Sequence, residues 1–294
     1  MISGFRLAAL AGTLLVQACG GGGAAGSGPT GPAAPAVPTS NSASDVARFL
    51  NQATFGATPK TLASLTGQPG YAAWLDAQRN LPVSLELPYL QQLKAANDPV
   101  FQNQRQDIWW RHAVTAPDQL RQRMAFALSE ILVVSDQGAN LNDDVLGLAN
   151  YYDLLARNAL GNYRVLIEDV TLSPQMGRYL SMLDNQKPDP AQGIRADENF
   201  ARELMQLFTV GKTRLNADGT AMRDGSGRPL PSYSQTDIEN LARVFTGWSW
   251  RNTDGDNLRD YDPGDELFPM QAFDRFHDSD AKTIIGGVAV PAGQ

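Results

Sequence analysis

Residues Asp197–Val210 read DENFARELMQLFTV and are closed by Gly211. Phe200, Leu204, Leu207 and Phe208 recur at helical spacing. Asp197 stands at the cap and Glu198 in the first turn, where the helix dipole favours negative charge. With Phe200 as reference and 100° per residue, Leu204 falls at about 40°, Glu203 at about −60°, Asn199 at about −100° and Arg202 at about 200°. Glu203 and Asn199 therefore flank the apolar stripe. Arg202, on the far side, can pair with Glu198 one turn back.

The same punctuation recurs on both sides of this helix. Ser42 and Asp45 form a capping box ahead of Val46, Phe49, Leu50 and Ala53. Thr58-Pro59 and Ser173-Pro174 pair a cap residue with a proline at the first helical position, and Asp98-Pro99 repeats the device before Phe101, Ile108, Trp109 and Ala113. Pro117-Asp118 restarts the chain before a stripe of Leu120, Met124, Ala127, Leu128 and Ile131; Asn142 is expected to cap the next helix. Tyr233-Ser234-Gln235-Thr236-Asp237-Ile238 carries a capping box inside a hydrophobic staple. The turn chemistry of Asn216–Gly219 and Asp224–Gly227 predicts one small β-hairpin at about 215–231. The expected class is all-α, a multi-helical domain over 42–294 with that single insertion. No βαβ alternation, GxGxxG or GxxxxGK[ST] is present, so nucleotide folds lose support and no cofactor is expected.

The first 41 residues give a cellular address. Arg6 precedes an apolar run from Leu7 to Val16, and Ala18-Cys19 follows. A basic start, a short apolar core and small residues before a cut describe a secretory leader. The run falls short of the ~20 residues that span a bilayer as a helix. The chain's only cysteine, Cys19, stands where a bacterial lipobox places the thiol that is lipidated and becomes the new N-terminus. Residues 1–18 are thus expected to be a lipoprotein signal peptide, with the membrane reached through lipidated Cys19. Gly20, rather than Asp, follows the cysteine, which favours the outer membrane. Residues 19–41 hold no charged and no aromatic residue and read as a tether, spanning roughly 25 Å at Gly-rich statistics.

Four segments carry a resemblance: RFLNQATFGAT (Arg48–Thr58), ENFARELMQLFTVG (Glu198–Gly211), YSQTDIENLARVFTGW (Tyr233–Trp248) and FHDSDAKTIIGG (Phe276–Gly287). In this order they resemble the motifs of the bacterial domain of unknown function 1800 (DUF1800), over roughly residues 45–294. The resemblance implies an exported, largely helical protein with no established activity, and so carries over no catalytic residue. Many members have a histidine-containing stretch after the helix that here starts at Pro117; this chain has Ala127–Leu132 instead, without histidine. Members also continue with further helices, so the chain reads as C-terminally truncated, with an apolar face left exposed. Residues 286–294 read as neither a helix nor a closing strand.

Composition limits the chemistry further. A net charge of −7 speaks against nucleic acid, whose phosphates need a basic face. One cysteine excludes a disulfide framework and a Cys-based zinc site, and two histidines speak against a His-rich metal centre. Glu203 reads first as a half-buried partner for an arginine or a backbone N–H, and second as a general acid or base. His277 and Asp278, with Lys282, form the second candidate. Asp254, Asp256 and Asp260 lie in an acidic loop, and residues 252–280 hold nine acids against Arg259 and Arg275. Asn252, Asp254 and Asp256 match the first alternate ligands of a calcium loop, but Asn257 and Pro263 occupy the positions of its glycine and closing glutamate. Trp109, Trp110, Trp248 and Trp250 are expected in the core, the other reading being a carbohydrate-stacking platform. The functional expectation is a surface-tethered binding or assembly component with an unidentified protein partner. The alternatives are a hydrolase of an extracellular polymer using Glu203, Arg202, His277 and Asp278, and a calcium-dependent adhesin.

Overall fold

The structure, a computed structural model, describes residues 40–251, 258, 261–262 and 264–293. The leader, Cys19, nearly all of the tether and Asp254, Asp256 and Asp260 lie outside the described residues. The folded unit comprises α1 (Ala43–Ala53), α2 (Pro59–Leu65), α3 (Ala72–Arg79), α4 (Leu87–Ala95), α5 (Gln102–Thr115) and α6 (Gln119–Ser129). It continues with α7 (Val145–Asn158), α8 (Tyr163–Leu172), α9 (Pro174–Tyr179), α10 (Asn199–Glu203) and α11 (Gln235–Val244). Two antiparallel pairs complete it: β1 (Trp248–Ser249) with β2 (Gln271–Ala272), and β3 (Lys282–Ile284) with β4 (Val288–Val290). The all-α expectation holds for the described residues. Among them no helix is long and apolar enough to cross a membrane.

α7 is the axis. It buries Val145, Leu148, Tyr151, Tyr152, Leu155 and Ala156 on several sides and packs against α4, α5, α6, α8 and α9. The largest cluster joins Tyr151 and Leu155 to Leu132, Leu166, Val170 and Met176. A second core lies between α10 and α11, where Ala201 and Met205 meet Ile238, Leu241 and Ala242. A third, smaller one holds Val46, Leu50 and Leu65 under the stacked rings of Phe49 and Tyr71. The folded body starts one residue inside the expected tether: the Asn41 backbone exchanges hydrogen bonds with Gly67 and Gln68.

α4 begins without a cap of its own. Asp153, fully buried on α7, supplies one from across the core, accepting from the backbone N–H of Glu86 at 2.7 Å and of Leu87 at 3.0 Å. Burial pushes the Asp153 carboxyl up to about 6, although both N–H donors pull it the other way. The Glu86 side chain lies in the same interior, and neither carboxylate oxygen has a hydrogen-bond partner. Burial first, then the neighbouring Asp153, raises Glu86 well above the usual carboxylate range, with Arg105 acting against them.

Four local expectations are corrected. The helix read over Asp197–Val210 is α10 followed by a π-helical turn, Leu204–Phe208. A π turn holds more residues than an α turn, so the stripe drifts past Leu204: Met205 enters the core and Leu207 is 59% exposed. On α6 the inward face belongs to Gln122 and Ala125, while Met124, and Ile131 just beyond the helix end, are exposed. The Gln122 amide donates to the Ser84 carbonyl and the Asp118 carboxylate, a polar layer no apolar count detects. The cap of α7 is Asp144, not Asn142. α5 starts at Gln102, three residues after Pro99, with the Gln104 side chain accepting from the Phe101 N–H.

The segment expected as a hairpin at 215–231 forms isolated bridges among three short runs. Arg214 N–H donates to the Leu230 carbonyl, Leu230 N–H to Met222, and Met222 N–H to Arg214, closing a triangle of 2.8–2.9 Å bonds. Pro229 and Pro231 have no N–H to extend a ladder, which is why the pairing stays this short. Conversely, residues 286–294, read as neither a helix nor a closing strand, include β4, which pairs Val288 with Ile284 and Val290 with Lys282.

Candidate functional site

The residues singled out in the sequence do not converge on one opening. Arg202 binds Glu198 at 2.7 Å, the expected one-turn pair. Glu203 is half buried, as its angle on the helix required, and its Oε2 has no hydrogen-bond partner. His277 Nδ1 lies 2.8 Å from the Thr246 carbonyl. Asp278 is buried and receives the Arg243 guanidinium at 2.6 and 3.0 Å, while the Lys282 ammonium donates to its backbone carbonyl at 2.7 Å. Burial works to raise the Asp278 carboxyl, but the hydrogen bonds and charge of Arg243 outweigh it and hold it low. This is a clamp that fastens the segment before β3 onto α11. None of Glu203, Arg202, His277 and Asp278 lines any of the three described cavities. Among the described residues, no group of three or more His, Cys, Asp or Glu is placed to hold a metal ion.

A cavity of about 700 Å³ opens over the N-terminal end of α7. Asp144 forms its floor. One carboxylate oxygen caps the helix through the Gly147 N–H at 3.0 Å; the other accepts from the Gln175 amide at 3.2 Å, with Arg178 at 3.6 Å. Gln175 in turn donates to the Glu266 carbonyl at 2.9 Å and accepts from Ser173 at 3.0 Å. Position 147 has to be glycine for this floor to exist, because a Cβ there would collide with both the Asp144 carboxylate and the Gln175 amide. Burial raises the Asp144 carboxyl, against the pull of Gln175 and Arg178.

The rim is held in unfavourable backbone. Asn140 and Asp184, which line it, take left-handed conformations with φ of 55° and 64°, as do Ala139 and Ser181 close by in the chain, at 54° and 59°. Such residues cost on the order of 1–3 kcal/mol each and persist only where the surroundings over-determine them. Here Arg178 does so, donating to the Ala139 and Asn140 carbonyls at 3.1 and 2.6 Å. Asp184 is pinned by its N–H to the Trp248 carbonyl and by the Ser249 hydroxyl on its carboxylate. On the far wall Tyr261 donates to Glu266 at 2.7 Å and packs edge-on against Trp250. Burial, then that carboxylate, keeps the Tyr261 phenol protonated well beyond its usual range. Trp250 is buried as expected, but Trp110 is 63% exposed, against the expectation of a core residue.

Sequence reading missed this cavity. Its signal was present in Asp143-Asp144, Leu183-Asp184-Asn185 and Gly264-Asp265-Glu266, three acid-bearing turns separated by up to about 120 positions and joined only by the fold. Against known proteins, residues 48–294 match a family described as protein of unknown function (DUF1800). No curated protein and no solved structure matches the chain.

Proposed function

We propose, for a chain that belongs to the DUF1800 family of proteins of unknown function, a role as a binding component carried outside the bacterial cytoplasm, with the Asp144 cavity as its ligand site. The observation that supports it is the conjunction of that cavity with two left-handed non-glycine residues in its lining, Asn140 and Asp184. Strain of this kind is kept where geometry matters more than stability. Asp98, Asp143, Asp144, Asp184 and Glu266 face Lys94 and Arg178 around it. An excess of acceptors and negative charge suits a ligand bearing ammonium or guanidinium groups, free or on a partner's side chain. Nothing in the placement of Glu203, His277 and Asp278 favours the hydrolase reading.

Titration calorimetry of the purified chain with spermidine and with a lysine-rich pentapeptide tests this. Binding of at least one probe is expected, weakening with added salt, since exposed charges are screened. Asp98→Asn with Asp143→Asn, two exposed rim positions, should weaken it about tenfold, or about 1.4 kcal/mol. Flat heats with both probes at low salt reject the cavity as a cation-binding site.

The anchor rests on Cys19. In a diderm host, an alkyne-bearing fatty acid should label the chain and the label should fractionate with the outer membrane. Cys19→Ser should lose both. Equal labelling of that variant removes the anchor from the proposal.

A further inference from the structure

The second cavity of note, about 480 Å³, lies on the other flank of α7, between α5 and the C-terminal end of α6. Its centre is aromatic. Trp109 and Trp110 meet edge to face at 4.9 Å and 84°, and Trp109 is braced from behind by Phe126 and Phe55 at 5.7 and 5.6 Å. This bracing fixes the pair while Trp110 remains 63% exposed. Its edges are polar. Arg105 is held in place by Gln102 at 2.6 Å and Asp136 at 3.2 Å, and Glu130 stands exposed at the end of α6. In its wall lies Tyr152, only 9% exposed, with its hydroxyl turned away from solvent. The Trp109 indole lies beside that hydroxyl.

We propose that this groove binds a neutral carbohydrate, one sugar ring lying against Trp110 with its hydroxyls directed to Arg105, Asp136 and Glu130. The surface chemistry selects that class. A sugar ring has an apolar C–H face for an aromatic ring and a rim of hydroxyls that both donate and accept. A purely apolar ligand would cover Arg105, Asp136 and Glu130 without returning hydrogen bonds to them, which is unfavourable. A charged ligand would meet both signs on the same wall, since one guanidinium stands among two carboxylates. A polyol, whose hydroxyls both donate and accept, answers each of these groups. Ligand sites have this composition, apolar walls with a few fixed polar groups. The site is separate from the Asp144 cavity and stands whether or not that cavity binds cations.

The test is titration of the full chain with hexasaccharides of β-1,4-glucose, β-1,4-N-acetylglucosamine and α-1,4-glucose, read by calorimetry and tryptophan fluorescence. At least one is expected to bind and to shift the emission. Trp110→Ala, a change at an exposed position, should weaken it tenfold or more with an unaltered circular dichroism spectrum. Three flat titrations overturn the proposal. So does undiminished affinity in Trp110→Ala, or binding confined to an anionic oligosaccharide such as hexagalacturonate run alongside.

Discussion

Asp153→Ala is expected to destabilise the domain by about 3–5 kcal/mol, because two buried backbone donors lose their only acceptor at once. Those donors, the N–H groups of Glu86 and Leu87, open α4. Urea denaturation at pH 7 measures the loss, and a change under about 1 kcal/mol would mean that water or a neighbour takes over the cap. Glu86→Met should act in the opposite direction. The Glu86 carboxyl is buried without a partner and its folded-state pKa is raised. A raised acid holds its proton in the folded state, so stability is full below the ordinary carboxylate range and falls as pH climbs toward the folded-state value. For Asp153, with a folded value of about 6, that fall lies between about pH 4 and 6 and amounts to about 3 kcal/mol. Glu86 adds a fall that starts in the same range. Glu86→Met removes that second contribution and should gain about 1–3 kcal/mol at pH 8 with little change at pH 4. A parallel pair of stability curves for the two proteins would show that Glu86 does not titrate on unfolding.

Gly247→Ala should cost about 2–5 kcal/mol, the sum of a left-handed residue gaining a Cβ and of overpacking against a rigid neighbour. Gly247 has φ of 80°, and a Cβ there would stand 2.8 Å from the His277 nitrogen and 2.9 Å from its Cα. Those are backbone atoms and cannot swing away. The same residue bonds on both sides, its N–H to the Asn185 carbonyl and its carbonyl from the Phe273 N–H, each at 2.7 Å. The expected result is a lowered thermal midpoint with faster hydrogen exchange across 270–280, where the Asp278 clamp sits. Wild-type exchange in that stretch would mean the backbone yields without letting go.

The two tests separate what local sequence carries from what the fold creates. The caps at Ser42, Thr58 and Ser234 were legible because donor and acceptor lie three residues apart, although Ser42 makes only half of the expected box and Thr58, read as a cap alone, makes a full one. The Arg202–Glu198 pair and the half-buried angle of Glu203 followed from the helical period alone. The cap that Asp153 gives α4 bridges 67 positions, and no spacing rule reaches that far. The polar layer under α6 deceived the apolar count, since Gln122 holds the inward position that Met124 was expected to fill. Pro229 and Pro231 could have warned against a regular hairpin, but the triangle of bonds that replaces it needs three segments at once. The cavity over Asp144 was hidden for the same reason, its walls coming from four separated stretches of chain.

The turn from Leu204 to Phe208 has a genetic corollary. It contains one residue beyond what an ordinary helical winding requires. Losing a codon inside a helix normally rotates everything downstream out of register. Here the surplus can be surrendered locally, with Glu203 and Thr209 staying where they are while the coil between them tightens. Chains that lack a residue at this point and chains that carry it can therefore share the same surroundings, and a gap placed there marks a tolerated difference rather than a broken helix.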